Sequence, residues 1–508
     1  MIESQLFEKL LNENTVNGKS VFAGSFLART AAAHPDRVAL ICADVTVTFA
    51  ELYRRASYIS YLLQERGVMP RDRVFLLFEN SIEFYVGYFG IWQCGAVVTP
   101  LNTFLHEKEL QHIVTDAKPK ALVAFSGLTA PFQSLVSTII TEVDMRTGDQ
   151  IPQEKTEFPV YSLEPDELAA LLYTSGTTGF PKGVMLSSRN ILINILQGVC
   201  RLNVTHQERI FAVLPLFHAF AQNTCVWATI FAGATTIVVP KVDRRLMLDA
   251  LKHQPTIFLG VPALYGILCL MKTAPLDSVD HFFSGGDALP DKIRGAFELI
   301  YRRKISSGYG LTETSPVVSA DFEDLLLPTN CVGKPVIGMS LSIRDEQGKE
   351  MLKDEVGILW VKGENVMLGY YQAPELTKEV LKDGWFNTGD FATIDEQGRL
   401  YICGRFKDLI INKGINIYPQ EIENLLLTHP AVFMAAVVGK AEESVGEVPI
   451  AFISLRKPMQ DVEVELKELC ARSLAAYKVP KQFIFLESLP VTAMGKVDKK
   501  KLKAEHIR

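Results

Sequence analysis

Short apolar runs rich in β-branched residues alternate with stretches of helical periodicity from about residue 20 to about residue 400. RVALIC at 37–42, RVFLLF at 73–78, ALVAF at 121–125, TTIVVP at 235–240 and TIFLGV at 256–261 read as strands. Positions 49–65 and 246–253 carry apolar residues three and four apart and read as helices. Strands that alternate with helices pair in parallel, because each crossover helix returns the chain over the sheet and buries its apolar stripe there. The predicted fold class is therefore α/β, with a large amino-terminal domain of parallel sheets covered by helices. Near residue 340 the grain changes, and 340–345, 357–362 and 400–404 look like strands between Gly-rich turns. This predicts a small β subdomain at about 335–405. Beyond Arg405, IYPQEIENLLLTHPAV at 417–432 predicts an extended entry, a helix and a stop at Pro430. AAVVGK and IAFISLR then read as strands and 462–475 as a helix. The expected domains are 1–406 and 407–508, the second a small α+β unit.

The chain of 508 residues exceeds what one hydrophobic core serves, and 48% apolar against 22% charged residues excludes a disordered polymer. A formal net charge of −6 argues against nucleic acid as a partner. Eight cysteines stand singly with no CxxC spacing, as buried thiols in a reducing compartment. MIESQLFEKLLNEN places acids where a secretory signal needs a basic start, so a cytoplasmic location is expected. Two long apolar stretches, 84–101 and 210–240, are interrupted by Gln93 and Pro100 and by Pro215, His218, Gln222 and Asn223. A membrane span needs about 20 apolar residues almost free of strong polar groups, so both are expected to be buried core elements. Integral membrane association is not expected; peripheral contact with a bilayer and a homodimer stay open.

Candidate chemistry begins after the apolar run LAALLYT at 168–174. From Thr174 to Gly183 the chain holds Thr174, Ser175, Gly176, Thr177, Thr178, Gly179, Phe180, Pro181, Lys182 and Gly183. Glycines let backbone N–H groups turn toward an anion, hydroxyls add donors, and Lys182 adds a mobile positive charge. The Gly-x-x-Gly-x-x-Lys spacing differs from the Walker loop. A helix is expected to open at Ser187 or Ser188. YTSGTTGFPKGV resembles the signature of the adenylate-forming superfamily: acyl-CoA synthetases, aryl-CoA ligases, luciferases and peptide-synthetase adenylation domains. Further motifs recur in that superfamily's order: YGLTET at 309–314, NTGD at 387–390, GRFKD at 404–408 and PVTAMGK at 490–496. The resemblance spans nearly the whole chain.

The resemblance implies ATP, Mg2+ and coenzyme A as co-substrates and cofactor, and it implies a role for each matching residue. Tyr309 would stack on adenine and Thr312 would bond the α-phosphate, with Ser307 and Gly308 lining the same pocket. Glu313 would hold Mg2+, a cation that prefers oxygen ligands. Gly286, after Gly285, would let the backbone approach adenine. Asp390 and Arg405 would contact the ribose hydroxyls. Lys496 would carry the first half-reaction, its charge placed between a carboxylate and the α-phosphate it attacks. Taken without the Pro-x-Thr-x-x-Gly-Lys frame, Lys496 is one lysine among Lys499, Lys500, Lys501 and Lys503. Lys407 would be the hinge about which the small domain rotates, bringing Lys413 and Gly414 over the pantetheine tunnel.

PLFHAF at 215–220 resembles the acyl- and aryl-CoA synthetases, and no Asp stands between Phe217 and Cys225 to hold an amino acid's ammonium. A neutral acid is therefore expected. His218, Phe220 and Val261 are the candidate acyl-pocket residues, His218 as a gate or as a buried histidine with a satisfied hydrogen bond. The segments 217–227, 258–265 and 282–288 are mainly apolar, which suits an alkyl chain. The leading expectation is a fatty acid–CoA ligase. A coumarate-like aryl-CoA ligase and a ligase loading an acyl carrier protein are the alternatives, and a non-catalytic nucleotide-binding scaffold is disfavoured because every chemical position is filled.

Overall fold

The computed structural model describes residues 2–16, 19–20, 23–145, 151, 161, 164–174, 181–323, 327–328, 330–413, 415–442, 445–459, 461–492 and 496–507. Two large sheets form its core. In the seven-stranded sheet, Leu168–Thr174, Val97–Pro100, Arg73–Leu77, Ala121–Ala124 and Thr138–Thr141 run parallel. One edge continues antiparallel through Lys182–Ser187 to Gly369–Tyr370. In the nine-stranded sheet, Ile305–Gly310, His281–Ser284, Ile257–Gly260, Arg209–Ala212, Thr235–Val238 and Val38–Cys42 are parallel, with antiparallel strands at both edges. The α/β expectation holds, and the predicted strands fall where the apolar runs put them. The division into two sheets is a further finding.

The apolar stretch at 84–101 resolves into the buried helix Ile82–Gln93 and the strand Val97–Pro100. A strictly amphipathic stripe is absent from that helix because it is buried on all sides. A Cβ on Gly87 would stand 2.7 Å from Leu76 on one sheet, and one on Gly90 2.7 Å from Ile59 of the helix Phe49–Glu65. Its Phe84, Tyr85, Tyr88, Phe89 and Trp92 are fully buried, each such aromatic adding roughly 1.5–3 kcal/mol. The second stretch becomes the strand Arg209–Ala212, a helical run at 219–232 and the strand Thr235–Val238. Among the described residues no helix is long and apolar enough to cross a membrane.

Ser340–Arg344, Gly357–Lys362, Trp385–Ile394 and Leu400–Arg405 form the small β sheet expected near residue 340. Its chain departs once, when Gly369–Tyr370 leaves to pair with Lys182–Ser187 of the seven-stranded sheet. That excursion brings the Tyr370 ring beneath Lys182. From Ile410 onward a separate five-stranded sheet, with helices Pro419–Thr428 and Val462–Ser473, closes over its own two apolar clusters.

Candidate active site

The parallel strands of the nine-stranded sheet end together, and in open α/β sheets such carboxyl ends form the ligand crevice. His281–Ser284 runs out into Gly285 and Gly286, the latter at φ +82°. A Cβ on Gly285 would lie 3.2 Å from the Phe220 ring, and one on Gly286 3.6 Å from Val261. The two glycines therefore let the backbone pass close to Phe220 and Val261. The next strand ends in Ser307, Gly308 and Tyr309, and a Cβ on Gly308 would overlap the Phe283 ring. His218 caps the helical run that carries Phe220, its Nδ1 accepting from the Phe220 N–H at 3.3 Å. Burial, reinforced by the charge of Lys496, lowers the imidazole pKa to about 4, so His218 is neutral at pH 7.

Asp390 and Arg405, the expected ribose contacts, are cross-strand partners in the small β sheet. Arg405 Nε lies 3.3 Å from Asp390 Oδ1, while the Tyr309 hydroxyl donates to Asp390 Oδ2 at 2.5 Å. Thr388 Oγ1 accepts the Asp390 N–H at 3.1 Å and fixes the turn. Burial raises the Asp390 carboxyl, and the Arg405 guanidinium opposes that shift. Asp390 is 6% exposed at its side chain and Arg405 58%, so a buried carboxylate is paired with an exposed arginine.

Flanking the expected phosphate loop, Leu168–Thr174 and Lys182–Ser187 pair antiparallel with Thr174 opposite Lys182. Ser175, Gly176, Thr177, Thr178 and Gly179 lie outside the described residues. Lys182 Nζ stands over the Tyr370 ring, 5.2 Å from its centroid. The Tyr370 hydroxyl donates to Glu313 Oε1 at 2.8 Å, and the Glu313 carbonyl accepts from the Met367 N–H at 2.8 Å. Thr312 and Glu313 form one short helical turn, Thr312–Thr314. Burial raises the Glu313 carboxyl and lowers the Lys182 ammonium; Lys407 lowers Lys182 further and Glu313 opposes this. Tyr370 was not singled out in the sequence, where MLGYYQ carries only two adjacent tyrosines between turn residues.

No group of three or more His, Cys, Asp and Glu side chains suits a metal ion among the described residues. Mg2+ is commonly held by one or two carboxylates together with substrate phosphates, and the part-buried Glu313 carboxylate, with Tyr370 bonded to Oε1, fits that use.

Lys496 closes the cleft from the small carboxy-terminal unit. Its carbonyl accepts from the Thr492 N–H at 2.7 Å, and Val491 and Val497 pair across the turn. Burial lowers its pKa; Asp287 and Asp390 act in the opposite sense and Arg405 adds to the lowering. The side chain is thus within electrostatic reach of Asp287, Asp390, Arg405 and His218. Lys292 Nζ donates to the His429 carbonyl at 3.1 Å, a direct tie between the large unit and the small one. Lys499, background in the sequence, pairs with Glu423 at 2.6 Å. Lys407 is exposed on the turn Phe406–Asp408. Lys413 is exposed on a hairpin of the small unit at φ +49°, and Gly414 lies outside the described residues.

Residues 27–371 match the family described as AMP-binding enzyme, and residues 421–496 match the AMP-binding enzyme C-terminal domain. A long-chain-fatty-acid–CoA ligase of Bacillus subtilis (strain 168) is 32% identical, over 95% of this chain and 94% of its own. A feruloyl-CoA synthase of Amycolatopsis sp is 33% identical, over 93% of this chain and 97% of its own. The crystal structure of ATP-bound MatB from Rhodopseudomonas palustris superposes with a TM-score of 0.87 at 33% identity, covering 95% of this chain and 98% of that one. With both parts of the pattern present in order, the chain belongs to the AMP-binding enzymes of the adenylate-forming superfamily.

Proposed function

We propose that the protein is an AMP-forming fatty acid–CoA ligase. The coarser reading, a carboxylic acid activated as its adenylate and passed to coenzyme A, is supported by the family match and by both CoA-forming relatives. One observation carries the chemistry: Lys496, the Asp390–Tyr309–Arg405 group and the Glu313–Tyr370–Lys182 group converge on the strand ends beside Phe220 and Val261.

In the first half-reaction a carboxylate oxygen attacks the α-phosphorus of ATP and pyrophosphate leaves. Lys496 reduces the repulsion between the two anions and stabilises the charge of the transition state. Lys182 faces the phosphates, and Asp390 and Arg405 orient the ribose. Mg2+, when bound at Glu313, neutralises phosphate charge. In the second half-reaction the CoA sulfur attacks the acyl carbonyl and AMP leaves. The neutral His218 beside Phe220 puts no charge at the mouth of the acyl space, which suits an uncharged chain. The domain boundary at 406/407, the hinge at Lys407 and the placement of Lys413 and Gly414 near CoA after rotation are parts of the same proposal.

The test is incubation with Mg-ATP and carboxylates graded from acetate to oleate, plus benzoate, coumarate and ferulate, following pyrophosphate and acyl-CoA together. A maximum of acyl-CoA at a medium or long chain is expected. A maximum at ferulate or coumarate replaces the fatty acid with an aryl acid, the reading that the 33%-identical feruloyl-CoA synthase favours. Pyrophosphate release without acyl-CoA transfers the acceptor role to a carrier protein.

A further inference from the structure

Four buried amide side chains, none singled out by the motifs, surround the turn that carries Glu313. Asn194, Gln197 and Asn365 have no exposed surface and Asn223 has 1%. Asn365 Nδ2 donates to the Thr314 carbonyl at 2.8 Å and to the Val317 carbonyl at 3.1 Å. Asn223 Nδ2 donates to the Ser315 carbonyl at 3.0 Å and to Asn194 Oδ1 at 2.9 Å. Asn194 in turn donates to the Val317 carbonyl and accepts the Val317 N–H at 3.0 Å. The Ser315 hydroxyl donates to the Asn365 carbonyl at 2.9 Å. The backbone from Glu313 to Val317 is thus held by side-chain amides and by Met367 in addition to its own turn bonds, Thr314 N–H to the Leu311 carbonyl at 2.9 Å and Leu311 N–H to the Pro316 carbonyl at 3.0 Å.

The chain that supplies Asn223 links this turn to the acyl side. Residues Gln222–Trp227 form a π-helical stretch, a local widening that is frequent at functional sites. Gln222, its first residue, donates to the Phe217 carbonyl at 2.7 Å, just before His218, and accepts from the Tyr88 hydroxyl at 2.9 Å. Consecutive residues of one element therefore hold the loop before His218 and the turn after Glu313.

We propose that Asn223, with Asn365, is a positioning residue that sets the Glu313 carboxylate for Mg-ATP from the helical segment bordering the acyl space. The proposal rests on Glu313 as the Mg2+ residue of the adenylation reaction. Removing a buried amide leaves the carbonyls it served without donors, and the turn relaxes to recover them. Such a relaxation acts on adenylation, which needs Mg-ATP. It spares the transfer of a preformed acyl-adenylate to CoA.

The test is a double-mutant cycle between Asn223→Leu, which keeps the branched shape at a larger volume and removes the donor, and Glu313→Gln. The readouts are pyrophosphate release as a function of free Mg2+, acyl-CoA formation from supplied acyl-adenylate, and the melting temperature. Asn223→Leu is expected to slow adenylation about tenfold and raise the Mg2+ requirement, with the thioester step within about twofold of the parent. In the Glu313→Gln background the same substitution is expected to have almost no further effect. Equal loss in both half-reactions overturns the proposal in favour of a general core role, and additive losses overturn it at the link between Asn223 and Glu313. A Mg2+ dependence untouched by Glu313→Gln alone overturns it at its premise. If Asn223→Leu is not recovered folded, Asn223→Ser, a smaller side chain with one donor, takes its place in the cycle under the same criteria.

Discussion

Replacing Tyr370 by Phe separates two contacts that meet on one side chain. The ring under Lys182 stays, at 5.2 Å from the ammonium, while the hydroxyl 2.8 Å from Glu313 Oε1 is lost. A hydrogen bond to a charged group contributes about 1.5–3 kcal/mol, which corresponds to roughly 10- to 150-fold in rate if it is all expressed in the transition state. Glu313 is only part-buried, so the lower end applies, and a loss of roughly 10- to 30-fold in adenylation is expected. The pH dependence adds a sign. Burial raises the Glu313 carboxyl, and the Tyr370 hydroxyl lowers it. Without that hydroxyl the carboxylate protonates at higher pH, so the acidic limb of the adenylation profile moves upward. Single-turnover pyrophosphate release across pH, alongside thioester formation from supplied acyl-adenylate, measures both effects. An unmoved acidic limb, or an equal loss in the two half-reactions, refutes the assignment of Tyr370 to Glu313.

Lys496→Ala is expected to lower adenylation by roughly 10²–10³ while the thioester step from supplied adenylate survives, and parallel losses would remove its assigned role. Lys407→Pro is expected to leave adenylate formation largely intact and block acyl transfer to CoA; equal activity in both steps would discard the hinge. The His218 imidazole is expected to titrate near pH 4 by NMR and to move upward in Lys496→Ala, because removing a neighbouring cation eases protonation. An ordinary midpoint in both proteins would contradict the buried, charge-coupled placement. Gly308→Ala forces a methyl into the Phe283 ring and is expected to cost about 1–3 kcal/mol, read as a lower melting temperature; an unchanged melt would show that the ring yields.

Local features were legible wherever the controlling interaction spans a few residues. The helix Phe49–Glu65 follows its 3.6-residue stripe and opens at Thr48, whose hydroxyl accepts the Glu51 N–H at 3.2 Å. The helix after Lys182–Ser187 opens at Ser187 for the same reason, with Asn190 completing the capping box. The strands Leu168–Thr174 and Gly357–Lys362 coincide with their apolar runs. The ordered motifs, too, carried the family without any structure.

The partnerships within the site were decided by tertiary structure. Tyr309 and Asp390 stand 81 positions apart and meet only because the small β sheet docks against the ends of the nine-stranded sheet. Tyr370 reaches Glu313 because a two-residue strand leaves one sheet to pair with another, an excursion too short to carry periodicity. Asn223 looked like a polar interruption of an apolar stretch and Asn365 belonged to no motif, although their amides hold the turn beside Glu313. Lys496 and Lys499 stood in one basic tail, yet folding sends the first into the cleft and pairs the second with Glu423. The physical reason is common to all four. Periodicity records which face of an element avoids water, but sheet order and domain docking choose the partner that face or polar group will meet.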